Sequence, residues 1–183
     1  GQHRIWLRKG LIGPATTMSV NVSARQLGTP HFADRVAAIL NKHSMRPDSL
    51  ILEITESALV QTIETNIIYD IKRLGVQISL DDFGTGYSSL SYLKRFPLDI
   101  LKIDRSFIKD IPEDSNDMEI TAAIIAMAQK LNLELVAEGV ESDEQIEFLK
   151  LNKCDVVQGY YYSKPVPEHE ISLMIDKTKG IHF

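Results

Sequence analysis

LDDFGTGYSSLSYLKRFPLDILKIDRSFI, residues Leu80 to Ile108, decides how the rest of the chain is read. Two adjacent acids, Asp81 and Asp82, close a strand-like run that begins at Gly75. Successive strand side chains face opposite ways, so both acids reach one site only if the strand ends there and turns. Phe83-Gly84-Thr85-Gly86 offers that turn, because glycine accepts positive φ. Ser88 and Ser89 can then cap a short amphipathic helix to about Arg95, and Pro97 stops it. Leu98 to Ile103 reads as a second strand, with Lys102 and Asp104 on one face. Taken singly, DDFGTG is an ordinary loop and LKID an ordinary strand edge. Paired across one helix, they form a βαβ unit with chemistry at its strand ends.

Outward from this stretch the same alternation continues. Strands are expected at Thr17 to Ser23, Leu50 to Thr55, Glu134 to Val140 and Asp155 to Gly159. Helices are expected over Gln2 to Lys9, Thr29 to His43, Ser57 to Leu74, Asp117 to Leu131, Asp143 to Leu151 and Glu168 to Lys177. Six strand-then-helix units imply a parallel sheet, open or closed. Central strands of an open sheet are apolar on both faces. Here polar residues gather near the C-terminal strand ends: Asn21 and Ser23, Glu53 and Thr55, Ser79 and Asp81, Lys102 and Asp104, Glu138, Gln158. Charges scattered through a dry core are costly, whereas the mouth of a (β/α) barrel gathers such positions around a solvated pocket. The expected fold is therefore α/β, a modified TIM (β/α) barrel that is incomplete at about six units.

The totals set limits on partners. With 183 residues, 44% hydrophobic and 25% charged, the chain supports one domain with a sizeable core. A formal charge of −5 argues against non-specific adhesion to DNA or RNA. It leaves room for a small nucleotide, since metal ions reverse the local sign. Cys154 is the only cysteine, which fits a reducing cytoplasm and forbids an intrachain disulfide. No run reaches membrane-spanning length, so no membrane contact by this segment is expected.

Glu53, Asp81, Asp82 and Glu138 would crowd together at such a mouth. Two like charges ~4 Å apart repel by ~4 kcal/mol at an effective dielectric of ~20. One lysine, Lys102, does not balance them. Raised pKa values or bound divalent cations are the two remedies. Carboxylates with the Asn21 amide suit Mg2+ or Mn2+, and no histidine or cysteine cluster points to zinc. A cation pair about 3.5–4 Å apart is a recurrent device for phosphodiester hydrolysis, and Asp81 with Asp82 is the candidate bridge.

SVNVSARQ (Ser19 to Gln26), LEITES (Leu52 to Ser57), the opening stretch, VAEGVES (Val136 to Ser142) and CDVVQGYYYSKPVP (Cys154 to Pro167) together resemble EAL-type cyclic di-GMP phosphodiesterases. The resemblance spans essentially the whole chain, in order and at compatible spacing. It implies a barrel enzyme of bacterial second-messenger signalling, opening cyclic di-GMP to linear pGpG with Mg2+ or Mn2+. By motif, Asn21, Glu53 and Asp81 would hold one metal, and Asp81, Asp82 and Glu138 the second. Lys102 and Gln158 would hold the attacking water, and Glu56 would brace the DDFGTG loop. Asp104 and Glu141 match acidic rim positions, while Tyr161, Tyr162 and Pro165 are candidates to stack against guanine. The resemblance also implies a homodimer through the loop and helix at 83–95.

One departure stands out. No Glu-Ala-Leu triplet, the family's name-giving metal strand, occurs in the sequence. The expectation is an EAL-type domain over 1–183 that lacks its N-terminal strands and first helices, turns over poorly alone, and derives from a longer parent, with membrane anchoring of that parent left open. A competing reading is a non-catalytic EAL-like module that binds cyclic di-GMP or a protein partner; another is a barrel enzyme on a different phosphorylated substrate. The plainer residues have plainer readings: His3, His31, His43, His169 and His182 solvated, Met118, Met127 and Met174 packed, Cys154 small and buried.

Overall fold

The computed structural model describes residues 2–62, 66–84 and 90–171. Helix α1 (Gln2–Arg8) leads into strand β1 (Met18–Asn21), helices α2 (Ala24–Leu27) and α3 (Phe32–His43), and β2 (Leu50–Thr55). Then come α4 (Glu56–Gln61), α5 (Ile67–Arg73), β3 (Gln77–Phe83), α6 (Leu90–Arg95) and β4 (Ile100–Ile103). Helix α7 (Ser115–Lys130), β5 (Glu134–Glu138), α8 (Asp143–Leu151) and β6 (Val156–Gln158) complete the series. Among the described residues the six strands are all parallel, in the order β1-β2-β3-β4-β5-β6. The expected α/β, TIM-barrel-like architecture is what forms, as a curled half-barrel with helices.

Period-two alternation places the core. Leu52, Ile54, Ile78, Leu80, Leu101, Ile103, Leu135 and Ala137 point toward the helices and are buried. Packed against them are Ile68 and Ile71 of α5, Ile124, Ile125 and Ala128 of α7, and Leu149 of α8. The opposite faces carry Glu53, Gln77, Ser79, Lys102, Glu134 and Gln158, which line an inner cavity of about 340 Å3. One side of the sheet is thus a dry interface and the other a polar hollow.

Two aspartates just ahead of strands fix register at the N-terminal side. Asp99, before β4, accepts from the Ile78 amide at 2.8 Å and from Lys72 Nζ at 2.7 Å. Asp155, before β6, accepts from the Leu135 amide at 2.9 Å. In each case a carboxylate satisfies the backbone of the preceding strand, so the strand cannot slip without orphaning a buried donor.

Several expectations need correction. The helix expected over Ser57 to Leu74 is two helices, α4 and α5. Thr62 ends α4 by turning its hydroxyl back onto the Leu59 carbonyl at 2.8 Å, a local bond that competes with the helical ladder. His3 is not solvated: it is 4% exposed, with Nε2 2.8 Å from the Thr16 carbonyl oxygen. Strand β3 does not end at the acids but runs on to Phe83. The expected caps Ser88 and Ser89, Thr85 to Tyr87 of the loop, Met174, His182, and the last helix beyond 171 lie outside the described residues. Met118 and Met127 do pack on the core.

Candidate active site at the strand ends

Asp81 and Asp82 share a site through a bulge. The β3–β4 register shifts between Leu80 and Phe83, and Asp82 adopts φ +56. A left-handed residue reverses the local alternation, so two neighbouring side chains turn the same way while the strand continues. Asp81, Asp82 and Glu138 consequently present carboxylate oxygens that all lie within 4.8 Å of one another.

Lys102 stands among these acids. Its Nζ lies 2.7 Å from Glu138 Oε1, 3.0 Å from Asp81 Oδ1 and 3.2 Å from Glu53 Oε2. All four side chains are largely removed from water, at 6% exposure for Lys102, 11% for Glu53, 13% for Asp81 and 18% for Glu138. Burial alone would lower the lysine pKa, but the bond to Glu138, the bond to Asp81 and the charge of Glu53 overcome it and raise it. Glu138 moves the other way from a simply paired acid: burial raises its pKa, and Lys102 only partly opposes this while Asp81 and Glu53 add to it. One ammonium divided among three carboxylates leaves each undercompensated. Asp82 is likewise raised, by burial and then by the charges of Asp81 and Asp104.

The remaining residues of the sequence reading fall around this centre. Asn21 sits opposite Glu53 in the β1–β2 register, and Gln158 opposite Glu138 in β5–β6; both are exposed. Glu56 is buried as the first residue of α4, whose N-cap is Thr55. Asp104 accepts from the Ser106 amide at 2.9 Å; burial would raise its pKa, but the bonds from Ser106 prevail and lower it. Glu141 is exposed and bonded to Arg105 at 2.8 Å. Tyr162 packs partly into the core, edge-on to Tyr161 at 5.1 Å, while Pro165 is exposed. Tyr161 Oη donates to Asp143 Oδ1 at 2.6 Å, which raises its pKa. Cys154 is half-buried, and burial pushes its thiol up to about 11.

Beyond the Gly84 turn, the framework around the acids rests on residues outside the sequence motifs' assigned roles. A Cβ on Gly84 (φ +96) would meet the Phe107 ring at 2.7 Å, and one on Gly139 (φ +71) would meet Arg105 Cβ at 2.7 Å. A Cβ on Gly159 would overlap the Val140 carbonyl oxygen. Gln145 is buried, accepting from the Glu141 amide at 2.7 Å and donating to the Ile108 carbonyl at 3.1 Å. The sequence signals were the Phe83-Gly84-Thr85-Gly86 turn for Gly84 and a glycine one residue past each of Glu138 and Gln158.

The acids are all-oxygen donors, mutually close and short of positive charge, which suits a hard divalent cation. A family model described as "EAL domain" matches residues 2–165. The chain belongs to the EAL domain family. It is 52% identical to the cyclic di-GMP phosphodiesterase NbdA of Pseudomonas aeruginosa over 152 residues, 82% of this chain and 19% of that protein. Among solved structures, the EAL domain of Mycobacterium smegmatis DcpA superposes with a TM-score of 0.90 at 40% identity, covering 96% of this chain and 79% of that one. Klebsiella pneumoniae BlrP1, solved as a manganese and cyclic di-GMP complex, gives a TM-score of 0.80 at 26% identity, covering 91% of this EAL chain and 43% of BlrP1. The chain spans 19%, 25% and 22% of the length of three curated relatives that it matches.

Proposed function

We propose that this EAL domain is the catalytic part of a metal-dependent phosphodiesterase that opens cyclic di-GMP to linear pGpG. The observation that carries the reading is the convergence of Asp81, Asp82 and Glu138 within 4.8 Å, with Lys102 Nζ in their midst. Membership of a family whose relatives include NbdA, and the likeness to BlrP1, supply the substrate.

In this reading Asn21, Glu53 and Asp81 hold one Mg2+ or Mn2+, and Asp81, Asp82 and Glu138 hold the other. The bound cations would acidify a water and offset phosphate charge. Lys102 and Gln158 orient that water and the scissile phosphate, with the ammonium stabilising charge that develops on phosphate oxygens. Glu56 braces the loop after β3. Asp104 and Glu141 form the rim, and Tyr162 and Pro165 border the guanine. A homodimer through 83–95 and one EAL-type domain over 1–183 belong to the same reading on the strength of the resemblance, and cytoplasmic placement on the single cysteine, Cys154.

Single-turnover assays with protein in excess test it. Formation of pGpG that requires Mn2+ or Mg2+, stops with EDTA and disappears in Glu138→Ala supports the enzyme. Tight cyclic di-GMP binding with no pGpG formed would instead leave a non-catalytic receptor module.

A further inference from the structure

Immediately after β4, residues Arg105–Phe107 form one turn of 3-10 helix. Its two end side chains lie on two different neighbours. Phe107 covers Gly84, two residues past Asp82; Arg105 lays its stem over Gly139, one residue past Glu138. Both glycines have positive φ and so make the turns by which β3 and β5 leave the acids behind.

The turn is itself tied down. The Asp104 carboxylate caps it through the Ser106 amide at 2.9 Å, and Thr121 Oγ1 of α7 donates to the Phe107 carbonyl at 3.0 Å. Gln145 of α8 donates to the Ile108 carbonyl at 3.1 Å while accepting from the Glu141 amide at 2.7 Å. The Arg105 guanidinium closes the circuit on Glu141 at 2.8 Å. A rigid piece between β3 and β5 therefore touches the exit of each acid-bearing strand.

We infer that the Arg105–Phe107 turn is a spacer that sets the separation between the Asp81–Asp82 pair and Glu138, with Arg105 and Phe107 as positioning residues. The contacts that carry the inference are with Gly84 and Gly139, and Arg105 also bonds Glu141 at the rim. Both residues act by fixing the two glycine turns, because a side chain wedged against a Cβ-less backbone stops that turn from relaxing toward it. Groups that hydrogen-bond a metal ligand directly typically change metal affinity by ~10–100-fold when removed, and a spacer acting through the backbone is expected at the lower bound of that range. For its metal readout the inference rests on the proposed function; its second readout does not.

The probe is Mn2+ alone, titrated calorimetrically into the whole chain. Arg105→Ala and Phe107→Ala are expected to bind Mn2+ about tenfold more weakly than wild type. Arg105→Met, which keeps an unbranched stem, and Phe107→Tyr, which keeps the ring, should stay within about twofold of it on the same packing argument. Wild-type affinity in both alanine variants overturns the spacer, as does equal loss in Arg105→Met and Arg105→Ala. Should Phe107→Ala not fold, the exposed Arg105 decides. A metal-free cycle in EDTA supplies the second readout. Glu138→Gln should change the folding equilibrium at least about threefold less in an Arg105→Ala background than in wild type, and strict additivity overturns the spacer. If wild type binds no Mn2+, the metal reading falls and this cycle alone decides.

Discussion

Lys102 Nζ reaches Glu138 Oε1 at 2.7 Å although their strands pair Lys102 with Val136, two residues earlier. The lysine stem climbs one strand layer, about 7 Å, from a buried position to the acids at the mouth. The ammonium is thereby placed where it meets Asp81 and Glu53 as well.

Removing that charge leaves three desolvated carboxylates facing one another. Lys102→Met is expected to destabilise the metal-free domain by about 3 kcal/mol, the range for breaking a buried pair from one side. Urea unfolding in EDTA at neutral pH measures it. Added Mn2+ should restore more stability to the variant than it adds to wild type, since only the variant lacks an internal cation. A loss under about 0.5 kcal/mol, the scale of an ordinary surface substitution, would show that Lys102 compensates nothing.

Gly159 follows Gln158, and its α-carbon is pressed against Val140. The Val140 carbonyl accepts from the Tyr161 amide at 2.9 Å and its amide donates to the Gln158 carbonyl at 3.1 Å, so the obstacle is engaged backbone that cannot step aside. Gly159→Ala should cost about 3 kcal/mol, at the upper end for overpacking. Thermal unfolding indistinguishable from wild type would contradict the packing described.

Asp104 gives a pH dependence with a definite sign. Bonds from Ser106 outweigh burial and hold its folded pKa below 3.8, so the folded state binds fewer protons there than the unfolded state. Its contribution is complete above 3.8 and fades as pH falls through the lowered folded value. The stability gap between wild type and Asp104→Asn should therefore be constant near neutrality and shrink in acid. A gap that widens on acidification would reverse the assignment.

Among the described residues β1 and β6 each pair on one side only, and Asn21 and Gln158 on those strands are exposed. The polypeptide of 183 residues, assayed by itself with Mn2+, is expected to turn over cyclic di-GMP more slowly than about 1 s−1, beneath the usual enzyme range. Steady-state pGpG release measures this. Turnover in the ordinary range would mean that a half-barrel suffices to hold the first metal.

The alternation of strand and helix, the inward polar stripe and the identity of the acids were determined by sequence alone. Such patterns have periods of 2 and 3.6 residues and are complete within a few residues of chain. Leu50–Thr55 and Asp143–Leu151 accordingly stand where periodicity put them. Tertiary structure decided which groups meet. Asp82 joins Asp81 only because a bulge reverses one side chain, and Lys102 reaches three acids only because the sheet curls β2, β3 and β5 around it. The Arg105–Phe107 turn matters only because residues far apart in sequence, Gly84 and Gly139, arrive on either side of it. Distances between strand tips depend on register, curl and backbone approach, which no local pattern encodes.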